Sequence, residues 1–313
     1  MKSGFRYSVV TGIVSLLISF SGCNLRDKGP HQLVIGVSYQ DLQNEFIIRL
    51  QDAIRAEAKR SHVKLVELDA QGRAEKQISH IENFVSRDVD AIILNPADEQ
   101  GSAPAVDIAV REHKPVVVVN SLVANLEKAS AFVGSPDEEA GRIEASEIMK
   151  VLNGKGNIVL IHGVYGHSAE VQRTKGIREI VSRFPDIKIT ADQTANWSRS
   201  AALSVMENIL SSNREVNAVI AENDEMALGV AKAIAGAGKQ HTIHVIGIDA
   251  IQDALRAVAD GRMIATVYQD AGGQGASAVD LACRLIRGDT VKHINYIPFQ
   301  LVTKANVKDF QSR

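Results

Sequence analysis

From residue 33 onward the chain alternates short apolar runs with longer stretches in which apolar residues recur at three-to-four spacing. The short runs are rich in Val, Ile and Leu and show little polar alternation, the pattern of strands covered on both faces. They fall at residues 33–38, 64–68, 91–94, 116–119, 157–161, 187–191, 218–221, 244–248 and 265–268, with a briefer run at 131–133. The intervals suit helices. Over 45–60 the stripe Ile47, Ile48, Ala53 and Ile54 faces inward, and over 136–152 Pro136 suits a first turn, where a missing N–H is harmless. Parallel neighbours need crossovers of about a dozen residues or more, and these intervals supply them.

The winding breaks near Gly134-Ser135-Pro136 and restarts with the run at 157–161. The expected fold class is therefore α/β, with two doubly wound parallel-sheet lobes. A length of 313 residues agrees, being more than one domain of about 100 to 200 residues. So does a composition 45% hydrophobic but only 4% aromatic, as Val/Ile/Ala-rich sheets give. Lys and Arg number 35 against 37 Asp and Glu, with no basic block, so a nucleic-acid partner is not suggested and a small neutral ligand fits better.

The N-terminus reads as a secretion signal over residues 1–23. Lys2 and Arg6 precede an apolar run at 7–20, too short to span a bilayer comfortably, since about 20 apolar residues are needed. It ends in Phe20-Ser21-Gly22-Cys23, which resembles a bacterial lipoprotein cleavage box with Phe20 in place of the usual leucine. A lipid on Cys23 would hold the mature chain on a membrane surface, with residues 24–32 as a polar tether. Cys283 sits in an apolar helical run and is expected to be a buried, inert thiol without a disulfide.

Two segments bring chemistry to strand ends: Ala221-Glu222-Asn223-Asp224-Glu225-Met226 and Val245-Ile246-Gly247-Ile248-Asp249. Each apolar run stops at a polar residue before a helix-like or turn-like stretch, and open α/β sheets bind small ligands at that edge. Together with Asn44-Glu45-Phe46, Arg173, Trp197 and Gln269, these segments resemble the periplasmic sugar-binding proteins of the ribose and glucose/galactose receptor type, over roughly residues 32–304 and in the family's order. The resemblance implies the type 1 periplasmic binding fold, its lobes joined by a three-segment hinge. The first lobe would hold residues 33–134 plus 270–298, and the second 135–269 plus 299–313.

The resemblance also implies a ligand site. Phe46, with Asn44 beside it, would stack on one face of a sugar ring, and Trp197 would close the opposite face. Arg173 falls where the family places a guanidinium with five forked donors. Asn223 and Asp249 would supply an amide and a carboxylate from the two strand ends, and Gln269 an amide at the hinge; Asp249 also suits the cap of a helix at 251–252. Asp224 and Glu225 read as capping or first-turn carboxylates of the next helix. His167 and Asn120 coincide with a histidine and an asparagine of the glucose/galactose type. The ribose-like Asp-Arg is Asn120-Ser121 here, the aspartate two residues after the histidine is Ala169, and the second aromatic of the ribose type is Ile47. The ligand could thus be a hexose, a pentose, or a cyclic polyol such as an inositol or a rhizopine-like inosamine.

Other readings are weaker. Gly166-His167-Ser168-Ala169-Glu170 lacks the last glycine of a nucleophile elbow, so no enzyme is expected. His241 and His244 have no carboxylate company, and Gly272-Gly273-Gln274-Gly275 lacks the nucleotide fingerprint and reads as a flexible or close-packed turn, so no metal or nucleotide cofactor is implied. Sugar-sensing repressors share the core, but a signal peptide stands where their DNA-reading helices belong. What the resemblance implies is a monomeric extracytoplasmic receptor, in the periplasm or on the outer face of the cytoplasmic membrane, that serves an ABC permease or, alternatively, a chemoreceptor or sensor kinase.

Overall fold

The computed structural model describes residues 32–212 and 214–311, with residues 1, 2 and 4; the rest of the signal sequence, Cys23 and the tether up to residue 31 lie outside the described residues. The first lobe is built from β1 (Val34–Tyr39), α1 (Glu45–Arg60), β2 (Lys64–Asp69), α2 (Ala74–Ser86), β3 (Ala91–Leu94), α3 (Ala103–Arg111), β4 (Val116–Asn120) and β5 (Ala131–Gly134). The second comprises α4 (Asp137–Val151), β6 (Lys155–His162), α5 (Ser168–Val181), β7 (Asp186–Thr194), α6 (Arg199–Ser211), β8 (Ala218–Ala221), α7 (Asp224–Gly236), β9 (His244–Asp249), α8 (Gln252–Asp260) and β10 (Ala265–Tyr268). Then α9 (Ala271–Ile286) and β11 (Ile294–Tyr296) return to the first lobe, and β12 (Gln300–Thr303) joins the second.

The sheet orders are β11-β5-β4-β3-β1-β2 and β12-β10-β9-β8-β6-β7, with every pair parallel except β10 with β12. Each order reverses once, between β1 and β3 and between β6 and β8, and such switch points open a crevice at the carboxyl ends of the strands. The chain passes between lobes after β5, after β10 and between β11 and β12. Both faces of the central strands are covered, and all residues of β3, β4, β5 and β8 are buried. Ile35, Val37, Val117 and Val119 form a core with Leu50 and Ile54 of α1 and Val279 of α9.

Three local expectations are corrected and two strands are added. Ile48 is 40% exposed, pointing away from the stripe made by Ile47, Leu50 and Ile54. Pro136 stands one position before α4 as its N-cap. The run from Gly272 to Gly275 is not a turn but the start of α9, where the Asp270 side chain accepts from the Gly273 N–H at 2.8 Å. The strands β11 and β12 were not expected, since neither is an apolar run.

Candidate functional site

Three of the singled-out side chains are helix caps at strand-to-helix turns. Asn44 Oδ1 accepts from the Phe46 N–H at 2.9 Å, His167 Nδ1 from Ala169 at 3.2 Å, and Asn223 Oδ1 from Met226 at 2.9 Å. Each cap satisfies an N–H that the helix leaves open and fixes the rotamer of a side chain that also lines the crevice. All nine candidate ligand residues border one inner pocket, which Gln40, Ile47 and Ala169 complete. Its cavity volume is about 30 Å³. A larger groove of about 480 Å³ adjoins it and shares Gln40, Asn44, His167 and Trp197.

Arg173 is buried rather than solvated. Its Nε donates to Asp137 Oδ1 at 2.8 Å, Nη1 donates to the Glu222 carbonyl, and Nη2 donates to Gln269 Oε1 at 3.1 Å. This placement needs α4 and α5 in close contact: a Cβ on Gly141 would stand 2.1 Å from the Arg173 carbonyl oxygen. Burial opposes the arginine's charge, but Asp137 and Asp249 outweigh it and hold the guanidinium above its usual range.

Asp249 ends β9 with φ 121°, and Asn120 ends β4 with φ 69°; Trp197 has φ 62°. Such left-handed backbones cost non-glycine residues of order 1–3 kcal/mol each, and they cluster at functional sites. Burial pushes the Asp249 carboxyl up to about 7, with Arg173 pulling the other way. Asp249 does not cap α8. The Ile251 N–H goes to Asp224 Oδ2 at 3.0 Å, and Thr266 Oγ1 donates to Asp224 Oδ1 at 2.7 Å. Glu225 pairs with Arg199.

His167 is in one definable tautomer. Its Nδ1 accepts from Ala169, so the ring proton sits on Nε2, which donates to Gln40 Oε1 of the other lobe at 2.8 Å and lies 3.1 Å from Ser121 Oγ. Burial, and then the Arg173 charge, lower its pKa to about 4. Trp197 lies against Gly163, where a Cβ would come within 2.0 Å of the indole, and His167 meets the ring edge-on at 5.5 Å. Two buried donors of pocket residues, Trp197 Nε1 and Gln269 Nε2, have no hydrogen-bond partner among the described residues.

Residues 35–290 match the periplasmic binding protein domain family. The chain belongs to that family. A Rhizobium meliloti protein named for rhizopine binding is 38% identical over 304 residues, covering 95% of this chain and 98% of that protein. The ribose import binding protein of Bacillus subtilis is 33% identical over 273 residues, 87% of this chain and 88% of the other. An ABC transporter solute binding protein from Bacillus halodurans, solved with bound myo-inositol, superposes with a TM-score of 0.88 at 38% identity over 91% of this chain and 99% of that one. These relatives are named as binding proteins, and the chain is a binding protein of the periplasmic type rather than an enzyme. No helix among the described residues is long and apolar enough to cross a membrane.

Several residues that shape this binding protein's pocket were not anticipated. Gln40 follows β1, Asp137 opens α4, and Gln274 accepts from Asn120 Nδ2 at 3.2 Å while its own Nε2 donates to Ser135 Oγ at 3.0 Å. Gln274 was hidden in the glycine run. Asp137 stands among three consecutive acidic residues in the first turn of α4, with nothing in the sequence to set it apart.

Proposed function

We propose that the chain captures a monosaccharide or cyclic polyol, with a cyclitol such as an inositol or inosamine as its preferred guest, and delivers it to an ABC permease. The supporting observation is the composition of the inner pocket. It joins Phe46 of one lobe and Trp197 of the other with amides, a guanidinium and a carboxylate, and it contains buried donors left unpaired among the described residues. An aliphatic ring has apolar C–H faces and a hydroxylated rim; Phe46 and Trp197 suit the faces, and Asn44, Arg173, Asn223, Asp249 and Gln269 suit the rim. Each buried unpaired hydroxyl would otherwise cost about 1–3 kcal/mol. Asp249 is the carboxylate in the pocket lining, so an inosamine's ammonium has a counter-charge there. The 38% identity to proteins connected with rhizopine and myo-inositol favours the cyclitol over ribose.

Lobes of residues 33–134 plus 270–298 and 135–269 plus 299–313 would close about the three crossings. Guest contacts from both lobes exist together only in the shut form, so binding shifts the population toward it. Trp197 is the sole tryptophan of the sequence, so its emission reports on this pocket. Titration with myo-inositol, scyllo-inosamine, ribose, glucose and galactose, by fluorescence and calorimetry, should give saturable binding with a cyclitol tightest. Silence across the panel would reject the reading, and a pentose or hexose binding tightest would reject the cyclitol.

The secretion signal and Cys23 support a lipid-anchored mature form. Cys23→Ser is expected to move the processed protein from the membrane to the soluble fraction, as read by fractionation and intact mass; retention of processed protein on the membrane would argue against the anchor.

A further inference from the structure

Beside the pocket, but not lining it, the carboxyl end of β6 meets α5 and the end of β8 in a compact group of ligating side chains. His162 Nδ1 lies 2.9 Å from Thr174 Oγ1, 3.2 Å from Glu222 Oε1 and 3.5 Å from Glu170 Oε1. Thr174 Oγ1 lies 2.6 Å from Glu222 Oε1 and 3.4 Å from Glu170 Oε1. His162 is 2% exposed, Glu170 6% and Glu222 1%. Their ligating atoms all fall within 4.8 Å of one another. Four donors at about 2.0–2.2 Å from a tetrahedral ion stand about 3.3–3.6 Å apart; the separations around His162 and Thr174 run from 2.6 to 3.5 Å, so an ion would spread the group slightly.

Two further features distinguish this group from a chance meeting of acids. His162 Nε2 is held by Asp192, itself paired with Arg178, and this carboxylate–histidine arrangement directs the opposite nitrogen of a metal-binding imidazole. The carboxylates of Glu170 and Glu222 also have no lysine or arginine ion pair among the described residues; Arg173 binds the Glu222 carbonyl instead, and Glu222 Oε2 accepts only from the Gly163 N–H, at 2.9 Å. Two buried carboxylates in contact with one imidazole call for a positive charge between them.

We propose that His162, Glu170, Glu222 and Thr174 form a binding site for a divalent transition cation of the zinc class, built into the second lobe. An imidazole with three oxygens at near-tetrahedral spacing suits Zn²⁺ or Co²⁺, whereas Ca²⁺ takes six to eight oxygens. Tyr165 is 56% exposed with its ring 5.8 Å from the His162 ring, and Asp192 is partly exposed, so the cluster lies close to the surface on that side. A cation here ties β6 and α5 to β8, and so braces the segment from Gly163 to His167 on which Trp197 rests. The ligands come from four separated positions with no motif spacing, which is why the sequence did not reveal them. The inference is independent of which guest the pocket takes.

The test uses the secreted protein stripped by a chelator. Calorimetry with Zn²⁺ should show one saturable ion that Glu170→Gln weakens by at least about tenfold, and Asp192→Asn should weaken it by about 10- to 100-fold. Co²⁺ should give the intense visible absorption of a tetrahedral ion, lost in Glu170→Gln. Glu170→Gln preserves side-chain shape, and its thermal unfolding in chelator serves as the folding control. His162→Gln is a second variant, expected to lose the ion as well. Absence of saturable Zn²⁺ binding would overturn the proposal. So would Zn²⁺ binding and a Co²⁺ spectrum unchanged in Glu170→Gln, because the ion would then sit on surface histidines and the cluster's only cation would be a proton on His162.

Discussion

Burial raises the Asp249 carboxyl to about 7 against an ordinary aspartate value of about 3.9, so the folded chain keeps a proton that the unfolded chain has released. This group's contribution to stability is complete below about pH 4 and is lost as pH rises through about 7. Asparagine cannot titrate, so the melting temperature of ligand-free wild type relative to Asp249→Asn should fall between pH 4 and 7; a flat difference in calorimetric melting would contradict the assigned burial. The same group governs affinity if it accepts ligand hydroxyls. Asp249→Ala is expected to weaken the guest by about tenfold to several hundredfold, since hydroxyls would be left unpaired in a dry site. An unchanged calorimetric Kd would remove Asp249 from the site.

At the scale of elements, the caps separate stability from binding. Asn223 Oδ1 caps α7 through Met226, and the same side chain borders the pocket. Serine retains a capping oxygen but no amide, whereas alanine retains neither, and loss of a cap costs typically about 1 kcal/mol. Asn223→Ser should therefore be more stable than Asn223→Ala by about that amount in urea unfolding, while both variants lose guest affinity. Equal stabilities would mean the cap is idle. The helices and most strands were legible because both sheet faces are covered, so strands such as β4, with four valines in succession, advertise themselves. The edge strands β11 and β12, Ile-Asn-Tyr and Gln-Leu-Val-Thr, are half exposed and have no such signature. The pocket residues lie at strand ends or follow family motifs, which made them visible. Asp137, Gln40 and Gln274 matter through contacts between chain segments far apart in sequence, such as Gln40 with His167, and no local pattern encodes those.

At the scale of the whole chain, the inner cavity of about 30 Å³ has room for about two water molecules and is smaller than a six-membered polyol. On the proposed reading a guest would enter with the lobes parted, and bridges such as Gln40 with His167 would readjust around it. Other bridges lie away from the pocket and gain nothing from the guest directly. Arg49 Nη1 donates to the Ala250 carbonyl across the lobes at 3.3 Å, and Arg49 does not line the inner pocket. A contact made only in the shut form adds to guest affinity as much as it adds to closure, because a ligand's apparent affinity scales with the population able to bind it. Loss of one hydrogen bond to a charged donor, about 1.5 kcal/mol, corresponds to about tenfold. Arg49→Ala is thus expected to raise Kd by several-fold to tenfold, chiefly through faster dissociation in stopped-flow measurements, with the Trp197 emission of the bound state unchanged. If the dissociation rate stays at the wild-type value, Arg49 makes the same contact in both states, and closure is governed by contacts at the pocket itself.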